Sequence, residues 1–326
     1  MGGSTLVIAC GALAREILAL QAANQWPHME LRCLPADLHN FPDKIPAAVR
    51  AAIHRYAPDH ARVFVAYGDC GTGGLLDKVL REEGVERIPG AQFIDIELVS
   101  DPASPYPHTI VDPMTFSDEV TALGIERNDQ VIIYDGMGLF SAARIWWMFR
   151  IYGYEKVAIL NGGFPKWKAE GREIETGNPE MPMPSVPFEV GFRPKMMRIL
   201  PQVRDNLETG RELVLDARSP GRFAGAEPEP RAGVRPGHIP GSRNLHYAAL
   251  MDTKTGLLKD ADALAGLYAD AGVTADQPVV CTCGSGITAC ALAFGLYLLG
   301  RNDVAVYDGS WSEWGAQTDT PVETGA

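Results

Sequence analysis

Val279-Val280-Cys281-Thr282-Cys283-Gly284-Ser285-Gly286-Ile287-Thr288-Ala289 lies in a stretch, Gln277 to Gly300, without a single charged side chain. Such a length could cross a bilayer. However, Gly284, Ser285 and Gly286 interrupt it between a β-branched run and an alanine- and leucine-rich one. That order predicts a buried strand at Val279–Cys281, a tight loop, and a buried helix over Thr288–Leu299. A helix that follows a glycine-rich turn presents backbone N–H groups and the positive end of its dipole to the loop. A thiol placed there ionises readily and acts as a nucleophile. Cys283 is therefore the candidate nucleophile. Cys281 on the strand and Cys290 on the helix read as buried, inert thiols.

A second run has the same pattern. Val131-Ile132-Ile133-Tyr134-Asp135-Gly136 leads through a helix to Val157-Ala158-Ile159-Leu160-Asn161-Gly162-Gly163 and Trp167. The first run leads likewise to Val304-Ala305-Val306-Tyr307-Asp308-Gly309-Ser310 and Trp314, and the two read as a gapless alignment. Ile88-Pro89-Gly90-Ala91 and Ile239-Pro240-Gly241-Ser242 stand upstream of them. The chain thus reads as two related α/β units, each a mainly parallel sheet flanked by helices. In the second unit, strands are expected at Leu213–Leu215, Val279–Cys281 and Val304–Tyr307, with helices at Ala261–Ala271 and Thr288–Leu299. Between the units, Pro179, Pro182, Pro184 and Pro187 mark an extended linker.

Residues 1–87 read as three further βα units. Strands are expected at Leu6–Ala9, Leu31–Leu34 and Val63–Ala66, and helices at Leu13–Ala23, Ala47–His54 and Gly74–Glu83. Val63–Asp69 precedes Ile88-Pro89-Gly90 by about the interval that separates Leu213–Asp216 from Ile239-Pro240-Gly241. This spacing predicts that Val63–Ala66 fills the first-strand place of the first repeated unit. The organisation is then a βα segment over 1–87, an incomplete non-catalytic unit over 88–176, a Pro-rich linker over 177–197, and a catalytic unit over 198–326.

Composition bounds the function. At roughly 150 residues per domain, 326 residues suggest about two domains. A content of 46% hydrophobic and 21% charged residues is that of a globular chain. The net charge of −12, without a Lys/Arg block, argues against nucleic acid and against a membrane surface as partners. The first ten residues carry no basic region before their short apolar run, unlike a secretory signal. The six cysteines follow no disulfide-framework spacing, so reduced thiols and a cytoplasmic location are expected.

Two arginines upstream of the Cys283 loop, Arg222 in Gly221-Arg222-Phe223 and Arg231 in Glu227-Pro228-Glu229-Pro230-Arg231, suit a carboxylate substrate. Asp216 and Arg218 follow the first strand of their unit and are expected to brace its loops. Other distinctive runs are Leu213-Val214-Leu215-Asp216-Ala217-Arg218, Gly237-His238-Ile239-Pro240-Gly241 and Tyr307-Asp308-Gly309-Ser310-Trp311. In the first unit they are Ser104-Pro105-Tyr106-Pro107-His108 and Leu139-Phe140-Ser141-Ala142-Ala143-Arg144-Ile145-Trp146-Trp147-Met148. With these motifs the chain, from about Ile88 to about Gly315, resembles the rhodanese superfamily and within it the two-domain 3-mercaptopyruvate sulfurtransferases.

The resemblance implies a fold of tandem rhodanese-like parallel sheets and a mechanism without a cofactor. The Cys283 thiolate takes the sulfur of 3-mercaptopyruvate and becomes a persulfide, while pyruvate leaves. The loop Gly284, Gly286, Ile287 and Thr288 supports the developing charge, and Arg222 and Arg231 hold the carboxylate and keto group. A thiol such as thioredoxin, or cyanide, then accepts the outer sulfur. Ser285, His108 and Glu97 fall at the positions of the family's Ser–His–acid relay, with Glu where other members carry Asp. The neutral loop favours mercaptopyruvate, whereas thiosulfate enzymes tend to carry basic residues there; thiosulfate is the alternative donor. Related phosphatases need a longer loop ending in Arg, but the sixth residue after Cys283 is Ala289. The Asp135-Gly136-Met137-Gly138 loop has no cysteine and reads as structural.

The N-terminal runs Leu6–Leu13, Leu34–Asn40 and Ala66–Gly74 resemble the opening of an uncharacterised bacterial and archaeal domain family of unknown function. The chain then reads as a fusion joined within Arg87–Ala91, which raises a contrasting function: a non-catalytic or regulatory sulfur carrier. Cys10 and Cys70 end predicted parallel strands and His39 follows one, so these three are weak candidates for a zinc site. They include no close CxxC pair, and buried thiols beside a capping histidine are the plainer reading.

Overall fold

The computed structural model describes residues 5–10, 29–35, 38, 44–56, 60, 62–66, 86–176 and 186–325. Backbone contacts divide the chain into two compact units. One is Met1–Ala91 with Ile174–Glu180, and the other is Gln92–Glu173 with Met181–Ala326.

In the first compact unit, β1 (Thr5–Cys10), β2 (Met29–Leu34) and β3 (Arg62–Ala66) form a parallel sheet in the order β2-β1-β3. The apolar run Leu6 to Ala9 is fully buried, as a central parallel strand should be. Helix α1 (Ile45–Tyr56) packs Ile45, Val49, Ala52 and Ile53 on Leu6 and Ile8, one apolar stripe at helical spacing. Val63 pairs with Leu6, so β3 belongs to this sheet and is not the first strand of the following unit. The expected role of Val63–Ala66 is thereby corrected: β1 is buried along its length and needs a strand on each side. The expected helices Leu13–Ala23 and Gly74–Glu83 lie outside the described residues, as do His39 and Cys70. Cys10 ends β1 and is described by its backbone alone.

The second compact unit holds both repeats. The first contains α2 (Pro113–Ala122), β4 (Val131–Ile133), α3 (Ala142–Ile151), β5 (Val157–Ile159) and α4 (Gly163–Ala169). Next come β6 (Met197–Arg198), α5 (Leu200–Thr209), β7 (Leu213–Asp216), α6 (Pro220–Phe223), β8 (Arg243–Asn244) and α7 (Ala261–Asp270). The chain continues through β9 (Val279–Thr282), α8 (Ala289–Leu298), β10 (Val304–Tyr307) and α9 (Ser310–Trp314). Strands β6-β10-β9-β7-β8 form a five-stranded, fully parallel sheet, and β4 and β5 pair in parallel.

Side-chain alternation in the large sheet divides its core. Leu215, Val279, Cys281 and Val306 face the cluster that contains α3 and α8, while Val214, Val280, Ala305 and Tyr307 face Trp311 and Trp314. The uncharged stretch therefore resolves into β9, a loop and α8, whose first eight residues are buried against α3 and the sheet. Among the described residues, no helix is long and apolar enough to cross a membrane.

The strand pairings also revise the repeat. Val131 opposes Val157 and Val279 opposes Val304, so the strand-to-strand interval is one residue longer in the first repeat and the gapless alignment does not hold. Counted from the paired strands, Asp135 stands where Cys283 stands, and Gly138 where Gly286 stands.

Candidate active site

Because β7, β9 and β10 are parallel, their C-terminal ends bring Asp216, Cys283 and Asp308 to one edge of the sheet, where α/β folds place their sites. Cys283 is only 2% exposed. Its Sγ accepts the Gly286 N–H at 3.1 Å. The N-terminal turn of α9 holds the loop backbone: Trp311 N–H donates to Cys283 O at 2.9 Å and Ser312 N–H to Gly284 O at 2.8 Å. The Cys283 N–H donates to Ser310 Oγ at 3.3 Å. Gly286 has φ 81°, and a Cβ there would lie 3.0 Å from Asp308 O and 3.1 Å from Arg144 Nη1. Both the angle and the space require glycine. The amides of Ser285, Ile287 and Thr288 have no acceptor among the described residues. Ile287 is buried, and Thr288 precedes α8 without capping it.

Glu97 and His108 of the first repeat and Ser285 of the second meet in one chain of hydrogen bonds. Ser285 Oγ lies 3.0 Å from His108 Nδ1, and His108 Nε2 lies 2.8 Å from Glu97 Oε1. The His108 hydrogen bond holds the Glu97 carboxyl below its ordinary range, opposed by burial and aided by the nearby charges of His108 and Arg231. An ionised Glu97 accepts from Nε2–H, which leaves Nδ1 to accept the Ser285 hydroxyl. Glutamate in place of the family's aspartate thus still reaches the imidazole.

The two arginines are held differently. Arg222, on α6, donates from Nη2 to Glu229 Oε2 at 2.5 Å and from Nε to Oε1 at 3.3 Å. A Cβ on Gly284 would lie 3.0 Å from Arg222 Nη2, so this guanidinium faces the Cys283 loop. Arg231 has no hydrogen bond or ion pair to another described residue. Burial and then Arg222 push its pKa down, while Cys283, Glu229 and Glu97 act the other way. Two like charges thus stand beside the thiol, one tethered and one free. Arg218 braces the loops as expected, with a bidentate pair to Asp216, a bond to Glu229 at 2.8 Å and one to Gly237 O at 2.8 Å.

Cys281 and Cys290 are buried, and burial pushes both thiols up, Cys290 to about 12. No group of three or more His, Cys, Asp or Glu able to hold a metal occurs among the described residues. Sequence reasoning missed Arg144, Asp308, Ser310 and Ser312, which hold the loop from outside. They lie within the quoted runs or next to them, but nothing in their spacing signals that they converge on Gly286 and His108.

A family model described as "Rhodanese-like domain" matches residues 71–170 and 200–317. A thiosulfate/3-mercaptopyruvate sulfurtransferase of Arabidopsis thaliana mitochondria is 39% identical over 75% of this chain and 69% of its own. The 3-mercaptopyruvate sulfurtransferase of Rattus norvegicus is 42% identical over 73% of this chain and 80% of its own. The crystal structure of SseA from Escherichia coli, of the 3-mercaptopyruvate group with the rhodanese fold, superposes with TM-score 0.62 at 37% identity, covering 69% of this chain and 83% of that one.

Proposed function

The chain belongs to the rhodanese superfamily, and we propose that it moves sulfur from 3-mercaptopyruvate to a thiol acceptor through a persulfide on Cys283. The observation that carries this reading is the free Arg231 beside the tethered Arg222 at the mouth of the Cys283 loop. Two guanidinium groups next to a buried thiol call for a carboxylate substrate whose sulfur lies a few atoms away.

The Cys283 thiolate attacks the substrate sulfur, and an S–S bond forms as the C–S bond breaks. The electron pair of that bond goes to the methylene carbon as pyruvate enolate, which takes a proton to give pyruvate. The substrate's thiol hydrogen stays on the outer sulfur of the persulfide. An enolate is a poor leaving group, so stabilisation of its oxygen and delivery of a proton matter. The Glu97–His108–Ser285 chain provides a hydroxyl whose proton can move along it, and the open loop amides face no competing acceptor. In the second half-reaction an acceptor thiolate, such as that of thioredoxin, attacks the outer sulfur and Cys283 leaves as thiolate. The reading includes residues 88–176 as the supporting half, 198–326 as the catalytic half, and a cytoplasmic setting.

Pyruvate release from 3-mercaptopyruvate with a thiol acceptor tests the assignment, with thiosulfate and cyanide in parallel. Arg231→Ala should raise KM for mercaptopyruvate roughly 10- to 100-fold with a smaller change in kcat, the loss of one charged hydrogen bond. Turnover of thiosulfate without turnover of mercaptopyruvate would instead give thiosulfate as the donor.

A further inference from the structure

Arg144 sits on α3 of the first repeat, yet it is 1% exposed and its guanidinium meets three segments of the site. Nη2 donates to His108 O and, at 2.7 Å, to Asp308 Oδ1. Nη1 lies 3.5 Å from Gly286 O. The other Asp308 oxygen, Oδ2, accepts the Ile110 N–H at 3.0 Å. The Arg144–Asp308 pair therefore grips the His108 loop from two sides, by the carbonyl before Thr109 and the amide after it. The Trp147 ring, 4.7 Å from the guanidinium carbon, closes another side. Burial opposes the charge most strongly, but Asp308 and Cys290 together outweigh it, so Arg144 stays cationic.

The grip has something to hold. His108 has φ 61°, the left-handed region that a residue with a Cβ avoids at a cost of roughly 1–2 kcal/mol. Such a conformation persists only where its surroundings over-determine it. Released from Arg144, the peptide would relax, and the reach of the His108 ring to both Ser285 and Glu97 would be lost.

We propose that Arg144, through Asp308, is the positioning residue that assembles the Ser285–His108–Glu97 relay. The first repeat, which has no nucleophile of its own, thus supplies both the relay's histidine and carboxylate and the arginine that positions them. The inference rests on the functional reading above.

A relay-specific role separates two rates. Turnover of mercaptopyruvate needs the relay, whereas alkylation of Cys283 by iodoacetamide needs only the nucleophile and its loop. In Arg144→Gln, kcat should fall roughly 100-fold, within the range for loss of acid–base assistance. KM and the alkylation rate should each change less than about threefold. His108→Ala in the Arg144→Gln background should cost little more, because residues acting as a unit are not additive. If Arg144→Gln does not fold, Arg144→Lys carries the same test, since it keeps the charge against Asp308 but lacks the fork that reaches several acceptors. Equal loss of turnover and alkylation would overturn the proposal and leave Arg144 a support of the Cys283 loop. Unchanged kcat would overturn it as well. A wild-type protein that is alkylated at Cys283 but releases no pyruvate would refute the functional reading itself.

Discussion

Two loops of this molecule stand at equivalent ends of equivalent strands, and they use their backbone amides in opposite ways. In the first repeat Asp135 occupies the place of Cys283. Its carboxylate accepts N–H groups from Met137 at 2.9 Å, Phe140 at 2.7 Å, Ser141 at 2.8 Å and Ala142 at 2.9 Å, together with Gly138. The nest is filled by the chain's own anion. In the second repeat the thiol takes one amide, that of Gly286, and the amides of Ser285, Ile287 and Thr288 have no acceptor among the described residues. The same local geometry is a structural tie in one copy and an open anion site in the other. The loops differ by one residue in length before the helix and by one side chain at the turn: a carboxylate whose two oxygens reach round it, against a shorter sulfur that can leave room for a substrate. Gly138, with φ 99°, and Gly286, with φ 81°, show that the backbone turn itself is shared.

The sharpest way to break this contrast is Cys283→Asp, which puts the carboxylate of the first loop into the second, a loop one residue shorter before its helix. Activity should fall by roughly 10⁴-fold or more, because no other group replaces the nucleophile. Thermal unfolding should show the variant no less stable than the wild type, since the new carboxylate gains the open amides. A large destabilisation would mean that the two loops are not interchangeable. The reciprocal change, Asp135→Asn, removes the charge from a site built of donors and turns an N–H₂ toward them. It should cost about 1–3 kcal/mol in denaturant unfolding, with kcat unaltered at temperatures where the protein is folded. A loss of kcat without a loss of stability would give the first loop a role in the reaction.

The smallest effect expected is in acid. Glu97 is held below the ordinary carboxylate range by His108, so its stabilising contact is fully present above the unfolded-state pKa. It is lost as pH falls through the lower folded-state value. The stability difference between wild type and Glu97→Gln should therefore be largest near neutral pH and shrink towards zero in acid. A difference that stays constant with pH would show that the hydrogen bond to His108 does not depend on the ionised form.

Much of this was legible in the residues. The uncharged stretch broken by Gly284, Ser285 and Gly286 was read as a strand, a loop and a helix, and β9 and α8 lie there within a residue or two. Arg222 stands out in the sequence as one of two arginines suited to a carboxylate, and its guanidinium faces the loop; Arg218 reads as a brace and is one. The failures have physical causes. Strand pairing is a long-range choice, so Val63–Ala66 was assigned by spacing to a sheet it does not join; the burial of β1 decided otherwise. The extra residue before α3 shifted the repeat by one, which hid Asp135 opposite Cys283.

By itself the sequence singled out a thiol in a glycine turn and two arginines; the histidine and the glutamate came only from the resemblance to the family. Composition and local backbone preference act over a few residues, and they suffice to place a nucleophile on a turn. Only the tertiary structure decided that Glu97, His108 and Ser285 form one hydrogen-bonded chain, that Arg231 has no partner among the described residues, and that Arg144 grips the loop of His108. Those relations depend on segments of both repeats, such as those of His108 and Ser285 or of Arg144 and Asp308, meeting in a buried place. There the free energy of an unpaired charge, or of a left-handed histidine, is set by every element packed around it.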